Sequence, residues 1–154
     1  MPMIVFALRH ADREPDPKDA LTDKGRQRAI VLARLLGESG IRNAWCSDAT
    51  RARQTLQPLQ DALGASLTAT IVPVGGQHSA DEHQQAIIAG VKGLSANAVA
   101  AIISHSDTVG PIIKALTGQS IGQITQDQFD KLFVLSIPPV GAASVTLLRY
   151  GAKT

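Results

Sequence analysis

The chain has 154 residues, 44% of them hydrophobic and 18% charged, with a formal net charge of +2. That composition describes one globular, soluble domain over residues 1–154, large enough to bury a core, and excludes a disordered tail. The small charge and the 3% aromatic content argue against nucleic-acid binding, the single Cys46 excludes a disulfide framework, and no apolar stretch is long enough to span a bilayer.

The first predicted element is a strand from Met3 to Leu8, a continuous apolar run suited to burial on both faces. It stops at Arg9-His10 and leads into a polar loop, Ala11 to Ala20. A helix follows from about Thr22 to Ser39, with Ile30, Val31, Ala33, Leu35 and Leu36 as its apolar face and Gly40 as its cap. Ala44 to Ser47 reads as a short strand. Ala49 to Leu63 reads as a helix closed by Gly64, and Leu67 to Val74 as a strand. Ser79 and Glu82 have capping-box spacing for a third helix that turns Ala86, Ile87, Ile88 and Val91 inward. His83 on that helix is expected in solvent, and Cys46 in the core. Ala98 to Ser104 is a further buried strand ending at His105, followed by a helix from about Thr108 to Leu116. Thr125 to Gln128 has capping-box spacing for a short helix. Lys131–Ile137 and Ser144–Tyr150 read as an antiparallel pair. Strands alternating with helices predict an α/β domain with a mostly parallel mixed sheet and helices on both faces.

Three strand ends carry unusual polar groups: Arg9-His10, Ser47 to Arg51, and Ser104 to Asp107. In open α/β sheets ligands bind beyond the carboxyl ends of strands, so these segments converge on one pocket. Two arginines and two histidines there suit a phosphate dianion. Guanidinium groups grip its oxygens, and a neutral imidazole serves as nucleophile. There is no His-x-x-x-His pair with a carboxylate partner, so neither metal nor cofactor is expected.

Four segments carry a family resemblance. They are Leu8-Arg9-His10-Ala11; Leu21-Thr22 with Gly25 and Arg28-Ala29; Ser47 through Thr55; and Ile103 through Thr108. In that order they resemble the histidine phosphatase superfamily, the phosphoglycerate mutase-like fold, in its small branch similar to the short phosphohistidine phosphatases. The resemblance implies a single-domain three-layer sandwich. It makes His10 the nucleophile, Arg9 and Arg51 the phosphate ligands, and His105 the donor that stabilises the transferring phosphoryl group. Arg13, Ser47 and His78 are further candidates for substrate contact, while Arg53 is expected at the surface.

Two positions depart from the family pattern. Ala11 stands where the signature has glycine, which limits the backbone angles next to His10. Val74 to His78 lacks the carboxylate that usually protonates the leaving oxygen; His78, Asp81, Glu82, Asp12 and Asp107 are its possible substitutes. The expected activity is therefore metal-independent hydrolysis of a phosphomonoester or phosphohistidine, with a preference for activated substrates or with His78 as acid. The alternatives are a non-catalytic phospholigand-binding module on the same fold and phosphoglycerate mutase-type phosphotransfer. The mutases are longer, with added segments over the site. The expected partner is a small phosphorylated substrate or a phosphohistidine protein, without nucleic acid or membrane, in the cytoplasm.

Overall fold

β1 (Met3–Arg9) is apolar up to Leu8 because both its faces are covered: Met3, Val5 and Ala7 enter one core, Phe6 and Leu8 the other. The computed structural model, which describes residues 1–154, continues with α1 (Asp23–Leu36), β2 (Asn43–Ser47), α2 (Thr50–Leu63), β3 (Thr68–Val72) and α3 (Ala80–Lys92). β4 (Val99–Ser104), α4 (Val109–Thr117), β5 (Lys131–Ile137) and β6 (Ser144–Arg149) complete it. One sheet holds all six strands in the order β3-β2-β4-β1-β5-β6. The β3-β2-β4-β1 half is parallel, while β5 runs antiparallel to both β1 and β6. Leu32 and Leu36 of α1 and Ala52, Leu56 and Leu59 of α2 cover one face; Ile87, Ile88 and Val91 of α3 and Ile112 and Ile113 of α4 cover the other. This is the three-layer architecture expected, and no helix is long and apolar enough to cross a membrane.

Several elements differ from their sequence expectation. α1 ends at Leu36 with Gly37 as cap, and Gly40 (φ 83°) serves the turn beyond it. Its buried face is Gly25, Arg28, Ala29, Leu32 and Leu36, while Ile30 and Leu35 are about half exposed. An apolar count misphased the helix because a charged residue, Arg28, occupies the inner face. Gly25 is obligatory there: a Cβ would sit 2.1 Å from the carbonyl oxygen of Asp12. α3 starts as expected, with the Glu82 amide donating to Ser79 Oγ at 3.0 Å. It buries His83, however, and leaves Ala86 exposed. No helix forms at Thr125–Gln128, which is a turn.

Candidate active site

Arg9 and His10 leave the end of β1, Arg51 is the second residue of α2, and His105 follows β4. The topology brings these three segments together at the carboxyl edge of the parallel strands. They line a pocket of about 390 Å³ with Arg13, Val74, Gly75, Ser106, Asp107 and Gln126. Val74 is its one apolar wall. Three arginines against one carboxylate give the pocket a positive charge.

His10 is 2% exposed and its Nδ1 lies 2.8 Å from the carbonyl oxygen of Ala11. That carbonyl can only accept, so Nδ1 carries the proton and Nε2 the lone pair. Arg51 Nε–H donates to this lone pair at 3.2 Å, and Arg51 Nη2 lies 3.4 Å from His105 Nδ1. The two imidazoles meet edge to face, 5.3 Å between centroids. Burial holds His10 neutral, its pKa pushed down to about 2, and the neighbouring Arg9, His105 and Arg51 charges act in the same direction, against the Ala11 hydrogen bond. Burial and Arg51 push His105 down to about 4.

Each site residue is held from behind. Arg9 Nη1 donates to the carbonyls of Thr125, Gln126 and Gln128 at 3.0–3.2 Å, and the guanidinium lies 4.1 Å from the Phe129 ring centre. The Thr125 carbonyl also accepts the Gln128 amide at 3.1 Å, which closes the turn that stands in place of the expected helix. Arg9 Nε is buried without a partner. Ser47 is fully buried, with Oγ 2.8 Å from His105 Nε2. Its expected role in substrate contact therefore gives way to support of His105. Thr55 Oγ1 accepts from the Ala11 amide at 2.9 Å and donates to the Arg51 carbonyl at 2.8 Å, which joins the turn after His10 to α2. No residue other than glycine has positive φ, so Ala11 serves where the family pattern has glycine.

His83, expected in solvent, is buried at 1% exposure. Nδ1 lies 3.0 Å from the Val72 carbonyl and Nε2 2.7 Å from Ser104 Oγ. Ser104 Oγ is 2.6 Å from Thr108 Oγ1, which accepts the His105 amide at 3.0 Å. This polar chain under the site has no signature in the sequence beyond a histidine one turn into an apolar helix. Arg13 reaches the pocket wall, but its guanidinium is tied to Glu14, Asp16 and Lys18 of its own loop. His78 does not join the site: it is exposed and outside the pocket, in a backbone bridge with Gly75. Arg53 is exposed and Cys46 buried, as expected.

The histidines make stability pH-dependent. Their pKa values are lowered in the fold, His83 by burial as well, so the unfolded chain binds protons that the folded chain resists. This contribution is present above the ordinary imidazole value of 6.5 and is lost as pH falls through 6.5 towards 4. The urea midpoint is expected to drop between pH 7 and 4.5, less steeply in His105→Ala. Parallel slopes for the two proteins would show that His105 is not held neutral.

Residues 7–74 match the model of the histidine phosphatase superfamily (branch 1). No curated protein sequence matches the chain. Among solved structures the chain is similar to the protein histidine phosphatase SixA complexed with tungstate, at 21% identity and TM-score 0.70, covering 96% of this chain and 97% of that one. It is also similar to a mycobacterial glucosyl-3-phosphoglycerate phosphatase (14%, TM-score 0.62, 97% and 99% covered). A third is phosphoserine phosphatase from Entamoeba histolytica in complex with 3-phosphoglyceric acid (13%, TM-score 0.66, 98% of both chains). At these identities the solved structures speak for the fold. Together with the match at residues 7–74, that fold bears out the resemblance to the histidine phosphatase superfamily carried by the four segments.

Proposed function

We propose that the chain is a phosphatase that hydrolyses phosphomonoesters or phosphoramidates through a phosphohistidine on His10. One observation carries this reading: the lone pair of a neutral His10 faces a pocket that also holds Arg9, Arg13, Arg51 and His105 against a single carboxylate. Nε2 of His10 attacks phosphorus, and the bond from phosphorus to the leaving oxygen or nitrogen breaks with its electron pair. Arg9, Arg51 and His105 neutralise the charge on the equatorial oxygens. Once a phosphoryl oxygen takes the Arg51 Nη2 bond now directed at His105 Nδ1, the Ser47 hydroxyl can donate to His105 Nε2 and Nδ1 can carry a proton toward the phosphoryl group. Water then attacks phosphorus, releasing phosphate and restoring His10.

The leaving group needs a proton, and the site narrows the five candidate acids. Asp12 is committed to Arg28, and His78, Asp81 and Glu82 are exposed and outside the pocket. Asp107 is the one carboxylate on the wall. We assign it the proton transfer for poor leaving groups. Activated substrates such as acyl phosphates, aryl phosphates and phosphohistidine need less help. The open pocket suits a protein-borne phosphohistidine as well as small phosphates.

The test is turnover with a chelator present, on alkyl phosphates, p-nitrophenyl phosphate, acetyl phosphate and a phosphohistidine protein. Trapped enzyme should hold acid-labile phosphate on His10. Asp107→Asn is expected to slow alkyl phosphates roughly 10²-fold and to affect acetyl phosphate little. Equal effects on both would remove Asp107 from proton transfer. Oxyanion binding without turnover or label would leave a phospholigand-binding module.

A further inference from the structure

Arg51 is the only group that touches both histidines of the pocket, and the direction of its guanidinium decides whether a phosphoryl group can be gripped. Nε and Nη2 point at His10 and His105. The remaining nitrogen, Nη1, turns away and donates to Asp19 Oδ1 at 2.8 Å. Asp19 lies in the polar loop after His10, 32 residues from Arg51. Its Oδ1 also accepts the Arg51 amide at 3.2 Å, and its Oδ2 the Thr50 amide at 2.8 Å. α2 has no cap from its own side chains; Ala49 stands at the N-cap. A carboxylate from a distant loop therefore caps α2 and grips the far side of Arg51 at once. Burial opposes the charge on Asp19, but the Thr50 and Arg51 bonds outweigh it and hold the carboxyl at about 2.

We infer that Asp19 is a positioning residue: it fixes the Arg51 guanidinium so that its Nε–Nη2 edge faces the space between His10 and His105. A planar guanidinium anchored at Nη1 has one edge left for a bidentate grip on two phosphoryl oxygens. The same anchoring lets Arg51 exchange its bond to the His10 lone pair for a bond to phosphate without searching rotamers. Arg9 is built alike, with Nη1 in the carbonyl cage and Nε unpaired. The inference rests on the phosphoryl-transfer reading for its effect on rate, but its effect on anion binding stands without that reading.

The test measures tungstate affinity by calorimetry, and turnover of p-nitrophenyl phosphate, for wild type, Asp19→Ala, Thr50→Pro, Arg51→Ala and Asp19→Ala/Arg51→Ala. Proline at the first helical position removes one cap bond and leaves the Arg51 side chain alone, so it controls for the structural role. Asp19→Ala is expected to weaken tungstate binding and lower kcat/KM roughly tenfold to a hundredfold, as the loss of a charge-assisted hold does. Thr50→Pro should stay near wild type. In the Arg51→Ala background the Asp19 substitution should add nothing, because the two act as one unit. Wild-type affinity in Asp19→Ala, an equal loss in Thr50→Pro, or an additive loss in the double variant would each overturn the inference. A second measurement needs no variant: the Arg51 guanidinium NMR signals should show hindered rotation, and averaged signals would also overturn it. Tungstate binding that depends on Asp19, in a wild type without turnover, would sink the phosphatase reading alone. A wild type that binds no tungstate would sink both.

Discussion

His10→Ala should lower phosphatase turnover by about 10⁴-fold or more while the protein stays folded and still binds oxyanions. Without the imidazole no covalent intermediate can form, and water would have to attack phosphorus unaided. The anion donors survive the change because none depends on His10 for its place. Arg9 is caged by the carbonyls of Thr125, Gln126 and Gln128, Arg51 is held by Asp19, and His105 rests on Ser47. The substitution also removes the acceptor of the Arg51 Nε–H, which then becomes available to the ligand. Tungstate affinity should therefore equal or exceed that of wild type. Steady-state kinetics and calorimetry on the same preparation check both halves. Residual turnover within a hundredfold of wild type would mean that another group attacks phosphorus.

Arg28→Met should be the most damaging change outside the pocket, costing roughly 3–5 kcal/mol and lowering Tm on the order of 10 °C. The Arg28 side chain is 1% exposed, yet it carries a charge. Nε donates to Asp12 Oδ2 at 2.6 Å, Nη1 to the Tyr150 carbonyl at 2.7 Å and Nη2 to the Ala152 carbonyl at 2.8 Å. The guanidinium also lies 5.6 Å from the Tyr150 ring centre. One side chain thus joins α1, the loop two residues beyond His10, and the tail after β6. Methionine matches the volume but strands the buried Asp12 carboxylate, and that uncompensated charge is the main cost. Arg28→Met with Asp12→Asn should recover part of the loss. Thermal unfolding of the two variants decides the point: an equal or lower Tm in the double variant would place the cost in the lost carbonyl bonds.

The pocket was legible because its chemistry needs rare residue types at strand ends. Arginine and histidine directly after an apolar run have no role in a core, so Arg9, His10 and His105 stood out from the residues alone, while Arg51, inside a helix, stood out through the family resemblance of Ser47 to Thr55. Ser47 stood out too, but with the wrong role. A serine at a strand end beside the pocket reads as a substrate contact, and only the approach of β2 to β4 puts its hydroxyl on His105. His78 and His83 exchanged places. The loop histidine, nearer the expected acid position, is in water, and the helical one is part of the buried chain beneath His105. Side-chain type says little about exposure when a polar network replaces solvent around a buried imidazole.

By itself the sequence determined the alternation of strands and helices, the two-faced burial of β1 and β4, and the core set of charged and imidazole groups that line the pocket. These follow from local periodicity and from residue chemistry, which act within a few positions of the chain. The tertiary structure alone decided the supports: Asp19 on Arg51, the Thr125–Gln128 carbonyls on Arg9, Ser47 and His83 behind His105, and Arg28 on Asp12 and the tail. Most of these contacts join residues from 16 to 119 positions apart. Hydrogen bonds of that span leave no periodic trace, because their partners are chosen by the order of strands in the sheet and not by neighbours in the chain.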